Sequence, residues 1–286
     1  MELESLLDQP HKLPTIPKVA QQLIKSFNAE DVTVEQIAQL LAADPALSAK
    51  LLRLANSAYF HVSRKIGTVD DALRMLGFVM VRNLVLGSGV VSAFRNTPGM
   101  QLQQFWRYNL YTACAARWLA ATAGANQDLV FTVGLLQGVG QLQMHAVMPA
   151  VMAPIDQQIA VLEAGRSELE SRLLGFHHGD VAAALAKLWN FPPAIVLALR
   201  NAPQPLAAPE FSASAAWLHL GAWRARCEIL ALSDADQLAS YPAEVGRRLG
   251  VAPAWTPALA AGSPELTSEV MPRLAQLTEG MDAMLD

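Results

Sequence analysis

The amino-acid sequence predicts an all-α fold, built from two helical lobes and a helical extension. Apolar residues recur at spacings of three and four along almost the whole chain, and no stretch keeps the alternation of a half-buried strand. Polar capping residues precede many of these segments, and proline or glycine interrupts them. The 286 residues, 52% hydrophobic and 16% charged, are enough to bury a substantial core.

The helices at the start of the chain are predicted from their apolar stripes and caps. The first spans roughly residues 16–27, and the second begins at Thr33, which stands at capping-box spacing from Gln36. Asp44 and Pro45 supply a cap and a pre-set first helical position for the third helix. These signals predict three helices separated by sharp breaks.

Two further helices are predicted before the first long loop. Thr68 and Asp71 repeat the capping spacing, and Gly77 can end that short helix in the left-handed conformation open to glycine. Another helix then continues to about Phe94.

Two breaks divide the chain into three parts. The first is NTPG at residues 96–99, and the second is the segment 203–209, where three prolines in seven residues exclude a regular helix. We therefore predict a first helical lobe at 13–97, a second at 98–205 and a C-terminal helical extension at 206–286.

The second lobe is predicted to open with a long helix over residues 101–123. An apolar segment at 129–136 precedes Gln137-Gly138-Val139-Gly140, where two glycines weaken any continuing helix. Further helices are expected at about residues 154–164, 168–174 and 180–189, with a restart after Pro193.

Charge and cysteine content restrict the classes of partner and compartment. The formal net charge of −4 and a pI near 5.9 give no global positive field, so they do not favour nucleic acid or an anionic membrane as a partner. Two cysteines are too few for a disulfide framework. The polar N-terminus lacks a signal-peptide pattern, and no apolar run reaches the ~20 residues of a membrane span. We expect a cytoplasmic protein without a membrane segment.

Several motifs follow one another in a fixed order between residues 13 and 205. They are LPTIPKVAQQL from Leu13, LLAADPALSAKLLRLANSAYF from Leu40, TVDDALRMLGFVMVRNLVL from Thr68, GLLQGVGQL from Gly134 and HGDVAAALAKLWNFPPAI from His178. Together they resemble the HDOD family. The resemblance implies a relative of the metal-dependent HD phosphohydrolases, reduced to a regulatory, protein-contacting role that is usually found in bacterial signalling.

The resemblance also places the former metal-ligand positions. The first histidine position corresponds to Tyr108, the His-Asp pair to Gln137 and Gly138, and the lysine after that pair to Gln141. An HD metal centre needs imidazole and carboxylate donors to make a reactive bound water. A phenol with a pKa near ~10, a neutral amide and a residue without a side chain are poor replacements.

One histidine of the family pattern survives as His178, whereas a later histidine pair is Arg200 and Asn201 here. A catalytic metal site ordinarily takes three or more protein ligands, which a single imidazole cannot provide. His177 adds no second ligand, because neighbours on a helix point about 100° apart. The resemblance therefore implies no catalytic residue, metal or cofactor. The surrounding cleft is then either a polar pocket or a structural remnant.

A possible partner surface is predicted in the first lobe from exposed polar residues and prolines near helix ends. Helix capping and turn formation explain the same residues equally well. The candidates are Pro14, Pro17, Asp44, Pro45, Asn56 and Ser57.

Three functions remain open at this point. The first is a non-catalytic signalling module that acts through contacts with a signalling protein, whose identity and stoichiometry the sequence leaves open. The second is a metal-dependent phosphohydrolase or cyclic-nucleotide phosphodiesterase with unconventional ligands. The third is a non-catalytic receptor for a nucleotide second messenger, with Arg200 as the anion partner and Tyr108 as a stacking or hydrogen-bonding group.

Overall fold

The computed structural model describes residues 17–25, 34–57, 65–251 and 270–284, and the isolated positions 3, 6, 60, 62, 255 and 256. Within these ranges every regular element is a helix, which confirms the all-α prediction. Pro14 and Thr33 lie outside the described residues, so the expectations for them stay predictions.

The first lobe consists of α1 (Lys18–Lys25), α2 (Val34–Ala42), α3 (Pro45–Ala55) and α4 (Val69–Ala93). Both described caps are confirmed. Asp44 Oδ1 accepts hydrogen bonds from the backbone N–H groups of Ala46 and Leu47, at 3.0 and 3.1 Å. Thr68 Oγ1 accepts one from the N–H of Asp71 at 3.1 Å. Each cap satisfies backbone donors that the first helical turn leaves free.

Helix α4 is bent at Gly77, which has a φ of +76° that favours glycine. The bend falls where the sequence predicted the end of one helix and the start of another. With a mean hydropathy of 1.6, α4 is long and apolar enough to cross a membrane by length and composition alone. However, 61% of that stretch is buried inside the protein, where α4 packs against α1, α2 and α3. Helix α4 is therefore buried to the extent that is usual for a core helix.

The second lobe is built on α5, which packs along α6, while α7, α10 and α11 pack in sequence beside them. Its helices are α5 (Leu102–Thr122), α6 (Gln127–Leu136), α7 (Val139–Val147), α8 (Pro149–Gln158), α9 (Arg166–Leu174), α10 (His178–Leu188) and α11 (Pro193–Asn201). The predicted helix at 154–164 was wrong. The helix starts earlier because Pro149 occupies its first turn, where proline suits the fixed backbone angle, and it ends at Gln158.

The C-terminal part continues the helical packing of the second lobe. It contains α12 (Ala213–Ile229), α13 (Asp234–Ser240), α14 (Ala243–Leu249), α15 (Leu274–Leu277) and a 3₁₀ helix (Met281–Met284). Helix α12 lies directly against α5, and a Cβ on Gly221 would come within 2.7 Å of Ala116 Cβ and of the Thr112 carbonyl oxygen. This contact requires a glycine.

The last described residues join the two lobes. The Glu228 carboxylate accepts hydrogen bonds from the N–H groups of Leu274 and Ala275, which positions α15. Further along, the sulfur atoms of Met281 and Cys114 lie 3.7 Å apart, and the 3₁₀ helix packs on α3 and α4. The C-terminal residues therefore contact both lobes.

Candidate functional site

The break between α6 and α7 lies at Gln137 and Gly138, as the sequence predicted. Gln137 Nε2 donates a hydrogen bond to Asn109 Oδ1 at 3.0 Å, and Asn109 Nδ2 donates to the Phe105 carbonyl oxygen at 2.9 Å. A Cβ on Gly138 would lie 2.5 to 2.6 Å from the amide atoms of Asn109. The space that a side chain at position 138 would need is therefore filled by Asn109.

Gly140 lies where α7 meets α10. A Cβ on Gly140 would collide with the carbonyl oxygen of His178 and would lie 2.9 Å from the backbone nitrogen of Ala182. Both obstacles are backbone atoms. The second glycine of the motif therefore allows two helices to approach closely, in addition to weakening the helix.

A buried carboxylate, Glu170 on α9, lies at the centre of the lobe. It accepts hydrogen bonds from Gln141 Nε2 at 2.6 Å and from Arg166 Nε at 2.8 Å. His178 contributes its backbone N–H at 2.9 Å and ring Nδ1 at 2.7 Å. Burial alone would raise the pKa of Glu170, but the charge of His178 and the hydrogen bonds from His178 and Arg166 lower it to about 2. Glu170 is therefore ionised at neutral pH.

The network extends from Glu170 through Arg166 to Asp156 and His145. The Arg166 guanidinium lies 2.7 Å from Asp156 Oδ1 and donates to the Ile159 carbonyl oxygen at 2.6 Å. His145 places Nε2 3.1 Å from Asp156 Oδ2. Arg166 and Glu170 are almost fully buried, and with Asp156 they form a chain of ion pairs that His145 extends through its contact with Asp156.

A cavity of about 260 Å³ opens beside this network. Its wall includes five of the residues that the motifs singled out, namely Tyr108, Gln137, Gly138, Gln141 and His178. Arg200 and Asn201 are not among the lining residues. The Arg200 side chain is half exposed, and its Nε lies 3.8 Å from Asp180 Oδ1. The predicted cleft is therefore a cavity, but Arg200, the expected anion partner, does not line it.

The described residues contain no cluster of three or more His, Cys, Asp or Glu side chains that could hold a metal ion. His178 Nδ1 faces Glu170, Gln137 Nε2 faces Asn109, and Gly138 offers no donor. These residues do not fit the divalent cation of an HD phosphohydrolase.

Comparison with known proteins identifies the family. The model of the HDOD domain matches residues 13–205, which is more than half of the chain. The chain belongs to the HDOD family.

Solved structures resemble the HDOD protein over most of its length. One from Shewanella amazonensis SB2B, provisionally named a phosphohydrolase, is 31% identical, covers 98% of this chain and 96% of its own, and has a TM-score of 0.74. An HDOD domain protein of unknown function from Geobacter sulfurreducens is 24% identical, with 87% of each chain covered and a TM-score of 0.72. A Marinobacter aquaeolei VT8 protein, provisionally named a signal transduction protein, is 23% identical over 96% of this chain and 58% of its own, with a TM-score of 0.70.

A curated relative exists in Treponema pallidum (strain Nichols), where it is named only as uncharacterised. It is 25% identical over 199 residues, which are 68% of this chain and 38% of that protein. The HDOD chain thus spans less than half the length of this relative.

The first-lobe candidates of the HDOD domain have contacts within the protein. Asn56 donates to the carbonyl oxygens of Leu52 and Ile66, at 2.7 and 2.9 Å, and accepts from the N–H of Ile66 at 2.8 Å. Ser57 lies against Gly280 of the C-terminal segment. Pro17 is exposed but packs near Gly89 of α4. Pro45 is also exposed, so it remains open to a partner.

Sequence reasoning missed the charged network of the HDOD domain. Arg166 and Glu170 stand four residues apart, a spacing that brings opposite charges together on one helix face. That pair was a usable signal, although it looks the same on a solvent-exposed helix. Asp156 and His145 carried no local signal, because their contact depends on how α7 packs beside α8.

The two cysteines of the HDOD protein are both buried. Burial raises the pKa of Cys114 to about 12 and that of Cys227 to about 11. Both thiols therefore stay protonated at neutral pH.

Proposed function

We propose that this chain is a non-catalytic regulatory module of bacterial signal transduction, which acts in the cytoplasm through contacts with a signalling protein. The proposal rests on what occupies Gln137 and Gly138, the positions that correspond to the His-Asp pair of HD phosphohydrolases. Gln137 is hydrogen-bonded to Asn109, and Asn109 fills the space beside Gly138. A metal-bound water, which hydrolysis in this superfamily requires, has no donor set there.

The environment of the surviving histidine supports the same proposal. His178 Nδ1 is paired with Glu170, which is also held by Gln141 and Arg166. A buried carboxylate that accepts four hydrogen bonds has a structural role, because it holds the groups that donate to it. It is not free to activate a water molecule or to bind a metal ion.

The competing function is a phosphohydrolase or cyclic-nucleotide phosphodiesterase with unconventional ligands. Its support is the provisional name of the 31% identical Shewanella protein. The test is to load the purified chain with Mn²⁺, Fe²⁺ or Zn²⁺, to measure bound metal and to assay cleavage of cyclic nucleotides and of a chromogenic phosphodiester. We expect neither stoichiometric metal nor turnover. Stoichiometric metal together with cleavage that is lost in His178→Ala would overturn the non-catalytic proposal.

The partner test has to use the whole chain, because α12 packs against α5 and cannot be removed without exposing the core. The parent chain and the Pro45→Arg variant serve as baits in affinity pull-downs from the native cells. Pro45 is chosen because it is exposed and because its replacement leaves the Asp44 cap in place. We expect a signalling protein to be enriched on the parent, and its purified form to bind saturably in calorimetry. Loss on Pro45→Arg would place the contact in the first lobe. If no protein binds the parent saturably, the proposed interaction is wrong.

A further inference from the structure

The 260 Å³ cavity has the size of a small ligand site. It lies beside the α6–α7 break and is lined by residues of α5, α7, α9 and α12 and by the segment 161–165. Ligand pockets commonly measure about 300 to 1,000 Å³, so this cavity suits a molecule of nucleobase size and is too small to enclose a dinucleotide. The hydrogen-bonding roles of its wall define which small molecule fits.

The first acceptor belongs to Gln141, a residue of the cavity wall, and is its Oε1. The ionised carboxylate of Glu170 can only accept a hydrogen bond, so the atom of Gln141 that faces it at 2.6 Å is the amide nitrogen. The oxygen is therefore the other atom, and it has no hydrogen-bond partner among the described residues. Gln141 is only 3% exposed, and a buried acceptor without a hydrogen-bond partner destabilises the folded protein. A ligand that donates a hydrogen bond would relieve this cost.

The second acceptor is His219 Nε2. His219 Nδ1 lies 2.9 Å from the carbonyl oxygen of Ala202, which can only accept, so Nδ1 carries the proton. Burial lowers the pKa of His219 to about 4, outweighing the hydrogen bond to Ala202, and the ring is neutral at pH 7. Nε2 is then an acceptor in a residue that lines the cavity. Glu163 and Glu168 add carboxylate acceptors to the same wall.

The cavity wall also contains two arginines and two aromatic rings, and one of the arginines, Arg166, is already paired with Asp156 and Glu170. Arg226 lines the cavity and forms no ion pair with any carboxylate of the described residues. Phe105 and Tyr108 provide aromatic surface. The wall thus offers several acceptors, the guanidinium of Arg226 and two rings, a combination used to bind the polar edges and flat faces of heterocyclic bases.

We propose that this cavity binds a small uncharged nitrogen heterocycle of nucleobase size, which donates hydrogen bonds toward Gln141 and His219 and accepts one from Arg226. An anion such as phosphate is disfavoured, because Glu163 and Glu168 in the wall repel it and Arg166 is already paired with Asp156 and Glu170. The proposal goes beyond the regulatory role and does not depend on it.

The ligand test uses calorimetry of the full chain at pH 7 with adenine, purine and inorganic phosphate. Purine is adenine without its exocyclic amino group, so it lacks one donor at nearly the same shape. We expect saturable binding of adenine, binding of purine weaker by about tenfold or more, and no heat with phosphate. The absence of saturable adenine binding, equal binding of purine, or tighter binding of phosphate would each overturn the proposal.

Variants locate the site. His219→Asn keeps a donor for the Ala202 carbonyl group but removes the acceptor at the Nε2 position, because the shorter amide does not reach it, and Arg226→Gln removes the guanidinium. Each should weaken adenine binding by about tenfold. Arg200→Gln is the matched control, because Arg200 lies outside the cavity wall, and its affinity should equal that of the parent. Unchanged binding in the two wall variants, or loss in the control, would exclude this cavity. Either result leaves the proposed partner binding untouched.

Discussion

Glu170 and His178 are joined twice, because one carboxylate oxygen of Glu170 accepts from both the backbone N–H and the ring Nδ1 of His178, at 2.9 and 2.7 Å. Glu170 lies in the middle of α9 and His178 at the start of α10, eight positions apart. The same carboxylate neutralises Arg166 and orients Gln141. One side chain thus fixes the turn between two helices and the wall of the cavity.

Replacing this carboxylate should strongly destabilise the protein. Glu170→Gln leaves the buried Arg166 with only Asp156 as a charged partner, and breaking a buried pair in this way costs about 3 to 5 kcal/mol. Urea unfolding measures the loss. Glu168→Gln on the same helix is the control, since Glu168 is exposed, and it should change the free energy of unfolding by less than about 0.5 kcal/mol.

The cost of Glu170→Gln should depend on pH. The pKa of Glu170 is about 2 in the folded protein, below the usual ~4.3 of an unfolded glutamate, so its stabilisation is present above pH ~4.3 and is lost toward pH 2. The difference between parent and variant should therefore shrink over this interval. A difference that stays constant from pH 5 to pH 2.5 would contradict the assignment of the charge to Glu170.

His219 should make the protein sensitive to mild acid. Its pKa of about 4 lies below the usual ~6.5, so the unfolded chain takes up a proton before the folded one as the pH falls. Stability from this group is complete above pH ~6.5 and declines by up to about 3 kcal/mol toward pH 4. Thermal unfolding of the parent and of His219→Asn between pH 6.5 and pH 4 isolates the contribution of His219, because all other groups titrate in both proteins. Parallel curves would contradict it.

Adjacent polar residues in the first lobe should respond in opposite ways to truncation. Asn56→Ala removes three hydrogen bonds, two of them to the backbone of Ile66, and should cost about 1 to 3 kcal/mol. Ser57→Ala removes a buried hydroxyl that has no hydrogen-bond partner among the described residues, so it should be neutral or stabilising. Denaturant unfolding of both variants tests the pair. A stable, fully folded Asn56→Ala protein would instead favour a role for Asn56 at the surface.

The two glycines of the QGVG segment should differ in their tolerance of alanine. At Gly138 the obstacle is the Asn109 side chain, which can shift, so Gly138→Ala should cost about 1 to 3 kcal/mol. At Gly140 the obstacle is the backbone of His178 and Ala182, which cannot shift without separating α7 from α10. Gly140→Ala should therefore be the more destabilising variant in thermal unfolding. Equal losses would show that the helices are not in close contact.

The contrast between the caps and the charged network explains how far sequence reasoning reaches. Asp44 and Thr68 cap helices through bonds to residues two or three positions away, so a local pattern contains all the partners. His145 on α7 meets Asp156 on α8, and Gln141 on α7 meets Glu170 on α9, and no local pattern contains such contacts. The start of α8 was misplaced because a proline can either open a helix, as Pro149 does, or be tolerated inside one, as Pro154 is.

The sequence by itself determined the all-α class and the main helix breaks, because these follow from residue type and local spacing, and its motifs carried the resemblance to the HDOD family. The correspondence of Tyr108, Gln137 and Gly138 to metal-ligand positions is what that resemblance implies. Only the tertiary structure decided what occupies the former ligand positions. Asn109 fills the space at Gly138, Glu170 accepts hydrogen bonds from His178, and Arg200, the expected anion partner of a nucleotide, lies outside the cavity wall. These relations arise from helix packing, which brings together side chains that are distant in the sequence.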